Sequence, residues 1–354
     1  MERKFLKKEN LHGLIDAIAR RYRLVYIRKG VDGKLHLDSY SGGSVKPVIG
    51  EARPFEPLKN FFFRAREKVV DDYQNSQKVG EPKDRPVCIL GVKNCDLKGF
   101  DILDHVFTQG DFEDPFYIRN RRRNLIIASD CTQPLDTCFC HALGHEHYPE
   151  KNYDILISEI GGGYLIEAGT ERGSGFLNDC GAAFEPAAKR HLEERDRARR
   201  RAGERVEENI RERAIPSYKD YDGIIKENLD SEIWKRESET CVECGSCNFA
   251  CPTCHCFYLV DTARGSDNEL RYKVWDSCMY KSFARVAGGA NPRAHLSQRL
   301  RNRFEKKFDF FPEVSGQYAC TGCGRCISGC PAKIDIRRIL KDLVAEKRRK
   351  RDEG

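Results

Sequence analysis

The amino-acid sequence predicts a mixed α+β protein in which an N-terminal α/β domain precedes a mainly helical domain. Short apolar runs predict strands before residue 180, whereas beyond residue 215 the apolar residues recur at helical spacing. Dense mixed charge between these two parts predicts a solvated helix. The predicted organisation is an N-terminal domain at 1–186, a charged helical linker at 187–214, a helical domain at 215–345 and a fraying basic tail at 346–354.

Local patterns predict the elements of the N-terminal domain in order. Five apolar residues share helical spacing and predict an amphipathic first helix rather than a signal peptide: Leu6, Leu11, Leu14, Ile15 and Ile18. Buried strands are predicted for LVYI, VCILGV, NLIIAS, DILISEI and YLIEAG. The segment DLKGFDILDHVF has helical spacing, so strands and helices alternate. Because a strand and not a helix follows Gly161 to Gly163, we predict a hairpin turn there rather than a phosphate-binding loop.

Helices are predicted for four segments of the second domain. All four have helical periodicity: IIKENLDSEIWKR, ELRYKVWDSCMYKSFARVA, AHLSQRLRNRFEKKF and IDIRRILKDLVAEK.

Composition excludes two classes of protein. No apolar run approaches the roughly 18 residues that cross a bilayer, so the sequence predicts no membrane span. The 62 Lys and Arg residues exceed the 55 Asp and Glu residues by only seven. This excess is too small to indicate a nucleic-acid-binding surface.

The unusual feature of the composition is its 17 cysteines. A chain without an export signal is expected in the reducing cytoplasm, where disulfides are rare. Clustered cysteines in that compartment more often bind metal. The cysteine positions are therefore the main indication of function.

Two segments carry the same cysteine motif, C-x2-C-x2-C-x3-C-P. The first consists of Cys241, Cys244, Cys247 and Cys251, and the second of Cys320, Cys323, Cys326 and Cys330. In this motif three thiolates bind one cluster while the fourth, which begins the next helix, binds the other cluster. We therefore predict two [4Fe-4S] clusters with exchanged ligands. One is held by Cys241, Cys244, Cys247 and Cys330, and the other by Cys320, Cys323, Cys326 and Cys251.

Zinc is the alternative metal for these motifs. Zinc sites use separate pairs of ligands and need neither the exchange nor the prolines that follow Cys251 and Cys330. Gly245 and Gly324 favour clusters, because glycine lets the backbone pass close to a bulky group. The long helical segment between Cys251 and Cys320 is similar to the α-helical ferredoxin arrangement.

The chain resembles the 4Fe-4S dicluster subunits of oxidoreductases, which include the β subunit of soluble sulfhydrogenases and the A subunit of anaerobic sulfite reductase. The resemblance rests on CVECGSCNFACPTCHCF, VWDSCMYKSFARVAGGANPR, LRNRFEKKFDFFPE and CTGCGRCISGCP, and upstream on RPFEPLKNFFFRAREKV, GVKNCDLKGFDILDHVF and DCTQPLDTCFCHALG. It covers most of the chain from about residue 50. One departure is Lys93-Asn94 before Cys95, where the relatives usually have Arg-Pro.

The resemblance implies an electron-transfer subunit of an anaerobic oxidoreductase complex. Such a subunit relays single electrons between a flavin or NAD(P)H subunit and a hydrogenase, a sulfite reductase or a heterodisulfide-reductase-like partner. The residues alone supply one-electron carriers and contain no nucleotide fingerprint or catalytic triad. Two-electron chemistry is therefore expected from a partner.

Four N-terminal cysteines form a candidate third cluster site. Cys95 follows one predicted strand, Cys131 ends another, and Cys138 and Cys140 lie in the loop after it. These residues could converge at one sheet edge and hold a third [4Fe-4S] cluster, or they could be buried or redox-active free thiols.

The other cysteines and histidines have weaker signals. Cys254, Cys256 and Cys278 either form a competing site with His255 or pack around the clusters. Cys88 and Cys180 are interpreted as ordinary buried cysteines. His145 and His147 flank a glutamate, and we interpret them as surface residues.

Two other functions compete with the electron-transfer subunit. One is a self-contained iron–sulfur enzyme that uses the N-terminal cysteines for thiol–disulfide or substrate reduction. The other is a structural scaffold, which would not need paired clusters with exchanged ligands.

Overall fold

The computed structural model describes residues 3–72, 77–78, 84–264 and 268–353. The chain divides into two units. The first consists of Met1–Leu58, Arg85–Ser217 and Thr321–Gly324, and the second of Lys59–Asp84, Tyr218–Cys320 and Arg325–Gly354.

The strands of the described residues are β1 (Arg3–Lys7), β2 (Arg23–Lys29), β3 (Leu35–Ser39), β4 (Arg66–Asp72), β5 (Gln77–Lys78), β6 (Val87–Val92), β7 (Leu125–Ser129), β8 (Ile155–Ile160), β9 (Gly163–Ala168), β10 (Phe184–Pro186), β11 (Phe257–Arg264) and β12 (Asn268–Trp275). The α-helices are α1 (Leu11–Arg21), α2 (Asn94–Thr108), α3 (Pro115–Arg123), α4 (Glu171–Asp179), α5 (Lys189–Glu212), α6 (Ile233–Ser238), α7 (Ser246–Phe249), α8 (Leu296–Glu305), α9 (Phe311–Ser315), α10 (Arg325–Ser328) and α11 (Ile336–Glu353). A π-helical segment, Lys306–Phe310, joins α8 to α9.

An eight-stranded mixed sheet forms the centre of the first unit. Its strand order is β10-β1-β9-β8-β7-β6-β2-β3, with parallel pairing between β2 and β6, β6 and β7, and β7 and β8. All residues of β6 and β7 are buried, as expected for parallel strands covered on both faces. The predicted strands VCILGV, NLIIAS, DILISEI and YLIEAG are confirmed.

Helices cover this sheet because successive strand residues point to opposite faces. Ile18 of α1 and Phe176 of α4 share one apolar core with Leu90 and Ile127. The first helix begins at Leu11 and not before it. Leu6 was predicted to belong to that helix, but it lies in β1, where pairing with β9 and complete burial override the helical spacing.

Two other predictions for this unit are confirmed. The segment DLKGFDILDHVF lies within α2. The glycines after β8 form a tight hairpin turn, since β8 pairs with β9 antiparallel and Ile160 lies opposite Gly163.

The charged segment 187–214, predicted as a solvated helical linker, forms the long helix α5, but one side of this helix is buried. Ala202 and Val206 are almost completely buried, and Leu192 packs against the small apolar core that contains Phe5 and Leu165. A narrow apolar stripe on a highly charged helix is therefore enough to fix it to the sheet.

The second unit contains a small sheet that sequence reasoning missed. Its strand order is β11-β12-β4-β5, with antiparallel pairing throughout. The segment ELRYKVW was predicted to be helical, but it lies in β12, where β11 and β4 pair with it on its two edges. The spacing of its apolar residues fits both a strand, with a period of 2, and a helix, with a period of 3.6. Pairing with the neighbouring strands therefore decides its structure.

Helices form the remaining core of the second unit. The Trp234 ring meets the Phe304 ring edge-on at 5.4 Å, and Phe308 packs against Tyr221. The basic tail at 346–354 was expected to fray, but α11 continues to Glu353. Lys347 is buried and donates to the carbonyl of Asp222, which ties this end of the helix down.

No helix among the described residues is long and apolar enough to cross a membrane.

The packing of α5 can be tested with one buried and one exposed substitution. We expect Val206→Ala to lower the free energy of unfolding by about 2 kcal/mol, because it removes two buried methyl groups. Denaturation of the anaerobically purified protein, followed by circular dichroism, measures this change. Glu204→Ala, on the exposed face of the same helix, should change the value by less than about 0.5 kcal/mol. Equal stabilities for the two variants would mean that α5 is a solvated linker.

Candidate metal centres

An apolar cavity in the second unit is lined by cysteines from both repeated motifs. Cys241, Cys244, Cys247 and Cys330 all border it, together with Cys326 and apolar residues that include Leu300, Phe304 and Ile339. The first three cysteines come from the loop before α7 and from α7 itself, and Cys330 follows α10. The sequence grouped the same four residues as ligands of one cluster.

The loop that carries Cys241 and Cys244 depends on an unusual backbone conformation. Gly245 has φ +73°, and a β-carbon there would lie 2.9 Å from the ring of Phe249 and 3.1 Å from Tyr280. Glycine is required both by this left-handed conformation and by the crowding. The neighbours that exclude a side chain are therefore aromatic rings of the protein itself.

A buried arginine borders the same cavity. Arg303 is 5% exposed, and its Nη2 donates to the carbonyl of Cys247 at 3.4 Å. Burial alone would lower the pKa of Arg303, but the neighbouring sulfurs of Cys247 and Cys326 raise it. Its buried Nε has no hydrogen-bond partner among the described residues. A negatively charged group in the cavity would satisfy both the charge and this donor.

A buried lysine stands beside Cys251 in a similar way. Lys307 donates to the Sγ of Cys251 at 3.4 Å, to the hydroxyl of Thr253 at 2.9 Å and to the carbonyl of Ala319 at 2.7 Å. The pKa of the Cys251 thiol lies well below its usual value, because it accepts a hydrogen bond from Cys254 and lies near Lys307. Cys251 is therefore prepared to act as a thiolate ligand.

Asn248 organises the additional cysteines of this unit. Its Nδ2 donates to the sulfurs of Cys278 at 3.2 Å and Cys254 at 3.5 Å, and its Oδ1 accepts from Ser277. Cys278 is also close enough to Cys256 for their charges to interact. Cys254 and Cys278 therefore belong to one hydrogen-bonded group around Asn248, and Cys256 lies near Cys278.

His255 is held in the same region by a backbone carbonyl. Its Nδ1 lies 3.0 Å from the carbonyl of Thr253. Burial lowers the pKa of His255 to about 4, so the imidazole is neutral at pH 7.

The second motif is distributed over both units. Cys320, Cys326 and Cys330 belong to the second unit, whereas Cys323 lies in the segment Thr321–Gly324 of the first unit. Within the first unit, Arg53 is buried and its Nε donates to the carbonyl of Cys323 at 2.5 Å. This bond fixes the backbone at one predicted ligand.

The N-terminal cysteines lie near one edge of the large sheet. Cys95 is in the first turn of α2, directly after β6, and Cys131 follows β7, the parallel neighbour of β6. Carboxyl ends of adjacent parallel strands meet at the same sheet edge. Cys131, Cys138 and Cys140 are each less than a tenth exposed and are close enough for their charges to interact.

Lys93 is the buried cation of this group. Its ammonium donates to the carbonyls of Ile49 and Asp130 and to the hydroxyl of Ser129. Burial lowers the pKa of Lys93 to about 8, although Cys131, Asp130 and Cys95 oppose that change. This lysine places a positive charge beside two of the four cysteines, Cys131 and Cys95.

Burial suppresses the ionisation of the Cys131 and Cys140 thiols. Burial and the neighbouring Cys138 raise the pKa of Cys131 to about 12, and the same two causes raise the pKa of Cys140 well above its usual value. Such thiols stay protonated at neutral pH unless a metal ion displaces the proton.

Two glycines of the second motif touch the Cys138–Cys140 segment. A β-carbon at Gly322 would lie 2.5 Å from the Cα of Cys140, and one at Gly324 would lie 2.3 Å from the carbonyl of Thr137. The amide of Phe139 donates to the carbonyl of Gly322 at 2.8 Å. The two segments therefore pack backbone to backbone within the first unit.

Sequence reasoning did not identify Arg53, Lys93, Arg303 and Lys307 as buried cations. Arg303 and Lys307 could have been found, because they stand four residues apart among Leu300, Phe304 and Phe308, on the apolar side of a predicted helix. A basic residue in an apolar stripe indicates a buried charge that needs a partner. Arg53 and Lys93 lie outside such a stripe and gave no comparable signal.

Comparison with known proteins identifies the relatives of this chain. The family described as the 4Fe-4S dicluster domain matches residues 240–334. Over 291 residues the chain is 30% identical to the β subunit of sulfhydrogenase 2 from Pyrococcus furiosus, which covers 82% of this chain and 84% of that protein. It is also 27% identical over 108 residues to pyruvate-flavodoxin oxidoreductase from Trichormus variabilis, across 30% of this chain and 7% of the relative.

The close packing at Gly322 can be tested with a matched glycine. We expect Gly322→Ala to lower the iron content of anaerobically purified protein, because the new β-carbon would collide with the backbone of Cys140. Gly316 has a similar positive φ, +69°, but open space around it. Gly316→Ala should cost only about 1 kcal/mol of backbone strain and keep its iron. Equal iron contents in the two variants would show that the contact with Cys140 is dispensable.

Proposed function

Because the chain belongs to the 4Fe-4S dicluster electron-transfer subunits that include the sulfhydrogenase β subunits, we propose that it relays single electrons within an anaerobic oxidoreductase complex. One proposed partner is a flavin- or NAD(P)H-binding subunit. The other is a catalytic subunit of the hydrogenase, sulfite reductase or heterodisulfide-reductase type. The resemblance of 82% of the chain to a sulfhydrogenase β subunit supports this assignment.

The observation that carries the proposal is the cavity in which cysteines from both motifs meet. Three cysteines of the first motif and two of the second, Cys326 and Cys330, border it. We propose that Cys241, Cys244, Cys247 and Cys330 hold one [4Fe-4S] cluster. The spacing of the motifs supports Cys320, Cys323, Cys326 and Cys251 as ligands of the other. Such clusters supply one-electron chemistry when bound.

Buried cations support clusters rather than zinc at these cysteines. An iron–sulfur cluster with four thiolate ligands carries net negative charge, and net charge is one of the properties that set its potential. Arg303 stands beside Cys247 and Lys307 beside Cys251, and both cations are buried. Within the described part of the chain, neither donates a hydrogen bond to a carboxylate. We propose that these two residues stabilise the reduced form of the cluster held by the cysteine that each contacts.

A third [4Fe-4S] cluster is proposed for Cys95, Cys131, Cys138 and Cys140. Lys93 supplies a buried positive charge beside Cys131 and Cys95, as Arg303 and Lys307 do at the other cysteines. The backbone amides of Cys140 and His141 donate to the sulfur of Cys140, which favours its thiolate form. A cluster here would give the first unit its own electron carrier.

The burial of these cysteines counts against the self-contained enzyme. Thiol–disulfide chemistry requires an accessible thiolate of lowered pKa, whereas burial raises the pKa of both Cys131 and Cys140. Metal ligation is compatible with burial, and free-thiol catalysis is not.

Exchange of ligands between the two motifs predicts how serine variants group. Cys330→Ser should reproduce the electron paramagnetic resonance change of Cys247→Ser, because both would ligate the same cluster. Cys251→Ser should instead reproduce the change of Cys326→Ser. The exchanged pairing is wrong if Cys251→Ser behaves like Cys247→Ser and Cys330→Ser behaves like Cys326→Ser.

Iron content and activity together test the third cluster and the electron-transfer role. Wild-type protein should carry about twelve irons, and the double variant Cys138→Ala with Cys140→Ala about eight, with the spin-coupled signal of the ferredoxin pair unchanged. Reduction of a dye should require a flavin-containing partner in both proteins.

The matched control for this test is the double variant Cys88→Ala with Cys180→Ala. It removes two other buried cysteines and should keep all of its iron. A Cys138/Cys140 variant that retained full iron and lost a partner-independent reductase activity would favour the self-contained enzyme.

A further inference from the structure

Two histidines of the first unit face each other beneath α5. The Nε2 of His141 lies 3.0 Å from the Nδ1 of His147. A carboxylate oxygen of Glu146 lies within 4.8 Å of one ring nitrogen of each histidine. His147 is 7% exposed and His141 partly buried, whereas Glu146 is exposed. The sequence analysis singled out His145 and His147 and did not include His141.

In each ring, the nitrogen that faces away from the other histidine, here called the outer nitrogen, acts as a hydrogen-bond donor. The Nε2 of His147 lies 2.8 Å from the carbonyl of Arg199, which can only accept, so this nitrogen carries a proton. The Nδ1 of His141 lies 2.6 Å from a carboxylate oxygen of Glu207, which serves as its hydrogen-bond acceptor. Both donors are thereby assigned from the chemistry of their acceptors.

This assignment leaves the two inner nitrogens with lone pairs that face each other. In a neutral imidazole one nitrogen donates and the other accepts, so neither inner nitrogen has a proton to share. Two acceptors at 3.0 Å repel each other unless a cation binds both. The candidates are an additional proton, which would place an imidazolium charge in a buried pair, and a metal ion.

We propose that His141, His147 and Glu146 form a zinc site that is separate from the iron–sulfur clusters. Two imidazole nitrogens and one carboxylate oxygen are a ligand set that zinc accepts, with water in the fourth position. No cysteine belongs to this group. Its chemistry is therefore that of a nitrogen and oxygen site and differs from that of the thiolate sites.

The surroundings have the features that metal-binding histidines require. Such histidines donate their second ring nitrogen to a carboxylate or a backbone carbonyl, and Glu207 and Arg199 supply one acceptor of each kind. A β-carbon at Gly203 would lie 3.1 Å from His147 and 3.5 Å from His141, so this glycine of α5 leaves room for both rings. The side chain of Asn94 donates to the carbonyl of Glu146 at 2.7 Å and holds the backbone of the third ligand.

Zinc here would attach the cysteine loop to α5. His141 directly follows Cys140, and both outer acceptors of the histidine pair belong to α5. The bound ion would therefore fix the end of the segment that carries Cys138 and Cys140. The position is structural, since the ligands come from one loop and their outer partners from one helix.

Metal analysis of the full-length protein tests the proposal. Anaerobically purified protein, incubated with zinc and then freed of loosely bound metal by a chelator, should retain about one zinc ion that His141→Gln and His147→Gln both lose. His145→Gln is the matched control from the same loop and should retain the ion. Zinc bound at cysteines would persist in all variants, so the difference between wild type and His141→Gln isolates this site.

Glu207, the carboxylate acceptor on α5, offers a second and milder substitution that should leave the fold intact. Glu207→Gln should weaken zinc binding about 10–100-fold in a chelator competition, because it removes the carboxylate that orients His141. Glu208→Gln, the adjacent surface residue, should change the affinity by less than about twofold. Iron content and circular dichroism should match wild type in both.

Two outcomes would overturn the proposal. One is that wild type retains no more zinc than His141→Gln, in which case the two nitrogens share a proton. The other is that Glu207→Gln and Glu208→Gln bind zinc with equal affinity. Cobalt substitution adds an independent check, because cobalt bound by nitrogen and oxygen lacks the thiolate charge-transfer absorption of a cysteine site.

Discussion

Burial of positive charge beside cysteine sulfur is the constraint on which the candidate centres depend. Lys93, Arg303 and Lys307 are almost fully excluded from water, and burying an isolated cation costs several kcal/mol. Their hydrogen-bond acceptors are carbonyls, hydroxyls and sulfur. A negatively charged group compensates such a charge. The sulfurs of Cys131, Cys247 and Cys251 lie close enough to Lys93, Arg303 and Lys307, respectively, to interact electrostatically. The fold thus keeps these cations where a thiolate-bound cluster would balance them.

The same requirement explains why the cysteine loops contain glycine. Gly245 and Gly322 have positive φ and no space for a β-carbon, so the chain around the cysteines approaches aromatic rings or another backbone segment closely. Close approach excludes water and lowers the local dielectric, which strengthens the interaction of each cation with sulfur. Packing and electrostatics are therefore coupled at these positions.

The large sheet of the first unit supplies the fixed frame for the N-terminal cysteines. Parallel pairing of β6 with β7 brings the segments after both strands to one edge, where Lys93 donates to Ser129 and Asp130. The long helix α5 then covers the loop that follows, and its backbone and side chains hold the histidine pair next to Cys140. One edge of this sheet thereby positions two kinds of candidate metal ligand.

The sequence by itself determined the strands β6 to β9, helix α2 and the two cysteine motifs, because each depends on local spacing. The sequence could not determine β12, because the apolar residues of this segment fit both a strand and a helix. Pairing with β11 and β4 makes it a strand. Nor could the sequence show that α5 packs on the sheet, since Ala202 and Val206 are a thin apolar stripe in a charged segment. The buried cations, the contact between Gly322 and Cys140, and the pairing of His141 with His147 were decided only by the tertiary structure. Each of these features is a contact between residues that are close in space, and the local sequence pattern does not show which distant residues come together.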